Sequence, residues 1–267
     1  MDIRDLYRDP SPAVHPGAES MRIMGRRGAI LSLLYTPGTS PAPAVLLSHG
    51  FPGSEQNMDL AQALRRMGFA VMTYHYSGSW GSDGDFSFRN CLEDAETILE
   101  TLKQHSAVDA SCIYAVGHSM GGFITAHLLA RHPELRAGVL ICPWDVARSY
   151  ALPEAHEKLK YVLDCGYGWL RGVSETTFHA ELAQDTDSLR LDKLAPQLVG
   201  KPVYCIGASE DEDTPLEFNQ RPLRDAMLAA GADDRFRYEE LPGDHSFNSG
   251  RIMLLDTICR YLAEREN

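Results

Sequence analysis

Residues 113–132 read IYAVGHSMGGFITAHLLARH, and the fold turns on how they are read. The run Ile113–Val116 is apolar and of strand length, whereas from Phe123 onward the apolar residues fall at helical spacing. The segment Gly117–Gly122 must carry the chain from one pattern to the other. A strand that enters a helix over so short a span holds the residue at its apex in crowded backbone space. Glycine at 117 and 121 removes the side chains that would collide there. The turn then lifts the Ser119 hydroxyl above the sheet, beside a helix N-terminus whose free N–H groups favour developing negative charge. A plain N-cap is the alternative use of such a serine. The preceding strand and the flanking glycines favour the exposed turn.

The same alternation extends outward on both sides. Upstream come the strand AVLLSHG (44–50), the helix MDLAQALRRMG (58–68), the strand FAVMTYHY (69–76) and the helix CLEDAETILETLKQ (91–104). Downstream lie the strands AGVLICPW (137–144), KPVYCIGA (201–208) and RFRYEELPG (235–243), with helices over 216–231 and 250–265. Before them, residues 21–37 alternate around Gly25 and Gly28 and predict a hairpin. The chain is therefore an α/β protein, with a mostly parallel eight-stranded sheet and helices on both faces. Residues 1–20, rich in proline, read as an irregular arm, and the core as 21–144 and 197–267. The interval 145–196 lacks a strand candidate and is helical in flavour. It is too long for an ordinary loop and carries many aromatic residues, so it is expected to form a helical lid over a pocket.

Composition narrows the function. At 267 residues the chain accommodates one large α/β domain. A formal charge of −12, with no basic cluster to reverse it, disfavours nucleic acid and anionic membranes as partners. No apolar run approaches the length of a membrane span, and the charged start MDIRDLYRDPSP does not read as a secretory signal. A cytoplasmic location is the expectation, and a homodimer is compatible with it. None of the six cysteines forms a C-x-x-C pair, and Cys142 and Cys205 sit in apolar runs, so reduced, structural thiols are expected. No phosphate-binding loop or cofactor motif is present, since GHSMGG lacks the lysine of a P-loop.

Two further stretches supply what an activated serine requires. SHGFPG (48–53) ends a strand, and the loop there can donate a backbone N–H to an oxyanion. Phe51 is the candidate, because Pro52 has no N–H; Met120, just after Ser119, is the other donor. PGDHSF (242–247) follows the last strand, and His245 within it is placed to take the serine proton and return it to a leaving group. His49, His118 and His132 are poorer bases by position: the oxyanion turn, the serine turn and a helix end.

With these motifs in the order Ser…acid…His, the chain resembles the α/β-hydrolase superfamily over residues 21–144 and 197–264. The segment YHYSGSWGSDGDFSFRNCLEDAETILETL (74–102) resembles the group that contains cinnamoyl and feruloyl esterases and prolyl-oligopeptidase-like hydrolases. That resemblance implies that the loop bearing Trp80, Phe86 and Phe88 lies near the active-site mouth. It departs from the pattern at YSGSWGS, where many relatives carry arginine or asparagine before the glycine, leaving the loop's anchor unassigned. The family pattern Gly-x-x-Asp-x-x-Val-Pro also implies an acid after the seventh strand. In GASEDEDTP (207–215), counting from Gly207 reaches Glu210 and counting back from Pro215 reaches Asp211. Pro215 is the firmer anchor, as a first helical residue capped by Thr214, so Asp211 is chosen, with Glu210 and Asp213 as alternatives. A metal site is not expected there, because neighbouring carboxylates in one loop diverge and the ligand spacing of an EF-hand is absent.

A Ser119–His245–Asp211 triad implies acyl transfer. The expected substrate is a small-molecule carboxylic ester, either of a small to medium acyl group or a hydroxycinnamoyl ester, with no metal or cofactor. An exopeptidase of the prolyl-oligopeptidase type and a non-catalytic small-molecule-binding protein on the same fold are the alternatives. Trp80, Trp144 and Trp169 are the candidates for substrate contact.

Overall fold

The computed structural model describes residues 1–9, 11 and 13–266. Strands β1 (Gly17–Gly25) and β2 (Gly28–Thr36) form the expected hairpin, closed by Gly28 at φ +115°. β1 starts four residues before the hairpin was expected, inside the predicted arm, which itself carries a 3-10 turn over Ile3–Tyr7. Then follow β3 (Ala42–Ser48), α1 (Met58–Arg66), β4 (Ala70–Tyr74), α2 (Phe88–Gln104), β5 (Val108–His118), α3 (Met120–Arg131) and β6 (Gly138–Ile141). Residues 145–196 hold α4 (Val146–Ala151), α5 (Pro153–Gly166), α6 (Glu175–Ala183) and two 3-10 turns. After α7 (Ala195–Leu198) the core resumes with β7 (Val203–Ala208), α8 (Gln220–Ala229), β8 (Phe236–Leu241) and α9 (Arg251–Glu266).

The eight strands run in the order β1-β2-β4-β3-β5-β6-β7-β8. The pairs β1–β2 and β2–β4 are antiparallel, and every later pairing is parallel. Alternation along the central strands explains the two layers of core. On β3, Ala44 and Leu46 face one layer and Val45 and Leu47 the other; on β5, Ile113 and Ala115 oppose Tyr114 and Val116. α2, α3 and the insertion cover the first face, and α1 and α9 the second. Because the sheet is covered on both sides, strands such as β4 are buried throughout.

The winding reverses at β3, with β4 on one side and β5 on the other. Loops leaving the carboxyl ends of β3 and β5 therefore diverge and leave a crevice between them, the usual ligand position in open α/β sheets. SHGFPG and GHSMGG both begin at these two strand ends.

Candidate active site

Ser119 sits at φ 57°, ψ −120°, between the end of β5 and the start of α3. A non-glycine residue there is strained, and the surroundings hold it in place. A Cβ on Gly121 would overlap the Ser48 carbonyl of β3, and one on Gly117 would overlap the Gly121 carbonyl. Only glycine lets the helix start press this closely on both strands. Met120 opens α3, so its N–H is one of the donors a helix leaves without an intrahelical partner. The loop after β3 passes directly against the serine, with the space beside Gly50 lying 3.1 Å from Ser119 Cβ.

Ser119, Phe51, Trp144, Tyr161, Thr214 and His245 share one cavity of about 170 Å³. His245 Nδ1 donates to Asp211 Oδ2 at 2.7 Å. The same oxygen accepts the Thr214 hydroxyl at 2.7 Å. Asp211 Oδ1 accepts the N–H groups of Asp213 at 2.9 Å and Thr214 at 2.7 Å. Burial pushes the Asp211 carboxyl up, but the bonds from His245 and Thr214 outweigh it and hold the group below its ordinary value. Of the four acids in the run, Asp211 is the buried one; Glu210, Glu212 and Asp213 are exposed.

Thr214 does not cap a helix at Pro215. The helix begins only at Gln220, and residues 215–219 form a turn. The Thr214 hydroxyl is committed elsewhere, to Asp211, with Cys142 O at 3.3 Å and His245 Nδ1 at 3.2 Å. Sequence reasoning missed this role, although the Asp-x-x-Thr spacing of an Asx-type turn was a usable signal.

A second layer steadies the histidine. His118 Nε2 donates to the His245 carbonyl at 2.8 Å. Burial, then the neighbouring His245, lowers the His118 pKa to about 3, so its ring is neutral at working pH. Arg251 donates to Ser246 O at 3.2 Å and to Asn57 Oδ1 at 3.1 Å, tying the histidine loop to α1.

The three tryptophans part company. Trp144 lies on the cavity wall beside Ser119. Trp80 and Trp169, expected to contact substrate, do not line this cavity. Trp80 adopts φ 46°, and its indole N–H donates to the Pro52 carbonyl at 2.7 Å. It stacks on Trp169 with ring centroids 5.4 Å apart and planes 14° from parallel. This pulls both rings onto a rim between the loop after β4 and the insertion. The wall position falls to Tyr161 of α5, which the sequence reading assigned only generally to the lid. Phe51 packs edge-on against Phe86, Trp144 and Phe178.

The loop anchor left unassigned by the sequence is Asp94 of α2, which accepts the Ser77 N–H at 2.7 Å and hydroxyl at 2.9 Å. Arg27, from the β1–β2 turn, brings its guanidinium to 3.6 Å from Asp94 and also pairs with Glu93. The positive charge beside this anchor thus comes from the β1–β2 turn.

Among the described residues, His118, Cys142 and His245 each offer a metal-ligand atom within 4.8 Å of the others. The chemistry of this set is poor for an ion. Burial raises the Cys142 thiol well above its ordinary pKa, opposing the thiolate a metal needs, and His245 Nδ1 is engaged by Asp211. Among the described residues no helix is long and apolar enough to cross a membrane.

Comparison with known proteins agrees with this architecture. Residues 43–202 match the sequence profile of the alpha/beta hydrolase fold family. An uncharacterized protein of Mycobacterium tuberculosis is 30% identical over 98% of this chain and 87% of its own length. The human acylamino-acid-releasing enzyme is 33% identical over 39% of this chain and 16% of its own length. In three dimensions, an esterase of Pyrococcus furiosus superposes with a TM-score of 0.70 at 14% identity, covering 99% of this chain and 96% of that one.

Proposed function

Because the chain belongs to the α/β-hydrolase fold family, we propose that it is a serine hydrolase of carboxylic esters, working through Ser119, His245 and Asp211. The observation that carries this reading is the 2.7 Å bond from His245 Nδ1 to a buried, multiply bonded Asp211, beside Ser119 in one cavity.

In this mechanism the Asp211 bond keeps the His245 proton on Nδ1 and leaves Nε2 free to accept. Nε2 takes the Ser119 Oγ proton as Oγ attacks the ester carbonyl. The negative charge passes to the carbonyl oxygen, where the Phe51 and Met120 N–H groups receive it. Collapse breaks the C–O bond to the alcohol, which leaves with the proton from His245. Water then attacks the acyl-enzyme, giving its proton to His245. Breakdown of the second tetrahedral species releases the carboxylic acid and returns the proton to Ser119. Asp211 stabilises the imidazolium in both halves without itself taking the proton.

The cavity, about 170 Å³ and walled by Phe51, Trp144 and Tyr161, is smaller than most small-molecule sites. This favours small to medium acyl groups over a hydroxycinnamoyl group. Hydrolysis of p-nitrophenyl acetate and butyrate, compared with Ser119→Ala, tests the proposal, and equal rates for the two proteins would overturn it. The similarity to the acylamino-acid-releasing enzyme supports a second reading, cleavage of aminoacyl amides. Turnover of aminoacyl arylamides with negligible ester turnover would establish that reading instead.

A further inference from the structure

The wall of the Ser119 cavity carries one acidic side chain that the triad does not use. Asp213 lines it together with Tyr161, Trp144 and Phe51. Its backbone is fixed, since its N–H donates to Asp211 Oδ1 at 2.9 Å. Its side chain is exposed, and among the described residues no salt bridge reaches it. The helix that it would otherwise complement begins only at Gln220. No lysine or arginine lines the cavity among the described residues. Lys160, next to Tyr161 on α5, is already paired with Asp164 at 2.9 Å.

An unpaired carboxylate on a held backbone and aromatic side chains around one small cavity are complementary to an alkylammonium group. The carboxylate attracts it through charge and the rings through their quadrupoles. The flanking exposed Glu210 and Glu212 add to the same field, which repels a carboxylate- or phosphate-bearing substrate.

We propose that this cavity selects esters carrying a cationic, ammonium-type group, and that Asp213 is the specificity-determining residue. The proposal rests on the serine hydrolase reading for its chemistry, but the recognition is separable from turnover. The test compares kcat/KM for acetylthiocholine with that for its neutral isostere 3,3-dimethylbutyl thioacetate. The wild type is expected to favour the cation roughly tenfold, the combined effect of one partly exposed ion pair and one cation–ring contact. Asp213→Asn brings the ratio close to one and Asp213→Lys inverts it, whereas Glu212→Gln, outside the cavity wall, keeps most of the preference. A wild-type ratio at or below one, or a ratio that Asp213→Asn leaves unchanged, overturns the proposal. If no ester is hydrolysed at all, the ester-hydrolase reading fails, and calorimetric binding of choline against 3,3-dimethylbutanol decides the recognition alone. Choline bound more tightly by the wild type than by Asp213→Asn sustains it; equal binding of the two alcohols by both proteins refutes it.

Discussion

The ring tip of Phe51 fills the space that a side chain on Gly166 would occupy. Gly166 ends α5 in the insertion, and Phe51 lies in the loop proposed to donate to the oxyanion. The insertion therefore touches, through a glycine, the loop proposed to bind the oxyanion. Gly166→Ala is expected to push the Phe51 ring and lower kcat, at an overpacking cost of about 1–3 kcal/mol. The double change Gly166→Ala with Phe51→Leu, which shortens the obstructing ring, is expected to recover thermal stability. Steady-state kinetics and melting temperatures for the single and double variants measure this.

Asp211→Asn is expected to reduce kcat by about 10³–10⁴, because the amide no longer holds the His245 tautomer. Glu210→Gln, altering an exposed side chain, is expected to stay within about twofold of wild type. Loss of activity in Glu210→Gln with survival of Asp211→Asn would reassign the acid.

Thr214→Val removes a hydroxyl 2.7 Å from Asp211 Oδ2 and keeps the shape. A hydrogen bond to a charged group is worth about 1.5–3 kcal/mol, so kcat/KM is expected to fall about ten- to a hundredfold. Thr214→Ser, which restores the hydroxyl, is expected to recover most of it.

Asp145 gives a pH prediction for stability. Its carboxylate accepts the N–H of Arg148 at 3.0 Å and of Leu191 at 3.0 Å, joining the start of the insertion to its far end. Burial raises its pKa from 3.8 to about 7 despite these bonds. The folded protein then holds a proton that the unfolded chain releases. The stability linked to that proton is complete below about pH 4 and is lost as pH rises to about 7. Its size is on the order of a few kcal/mol. Urea unfolding of wild type and Asp145→Asn between pH 4.5 and 7.5 should show the difference between the two proteins shrinking or reversing toward the alkaline end. A difference independent of pH would contradict the assignment.

What could be read from the chain beforehand depended on how local each signal was. The positions of Ser119 and His245 between a strand and a helix were legible because a strand, a glycine turn and a helix follow one another within a short span. Asp211 required a choice of register, and the reasoning behind it was only partly sound. Counting back from Pro215 reaches the acid that His245 bonds, yet the helix expected to start there begins at Gln220, because the Thr214 hydroxyl serves Asp211 instead of capping. The placement of Trp80 was hidden, since its positive φ and its bond to Pro52 depend on loop geometry that no periodicity encodes. Arg27 was equally hidden: its contact with Asp94 joins residues far apart in sequence. The early start of β1 escaped notice because it is an edge strand whose first residues are mostly exposed and lack a clear alternation.

The stack of Trp80 on Trp169 has an optical consequence. Two nearly parallel indoles 5.4 Å apart are close enough for their excited states to interact, so their near-ultraviolet signal depends on the stack. One ring belongs to the loop after β4 and the other to the segment following α5, so any outward swing of the insertion separates them. The chain has only three tryptophans, and the third, Trp144, sits on the cavity wall. The stack thus reports the separation of the insertion from the loop after β4, readable in solution without a label.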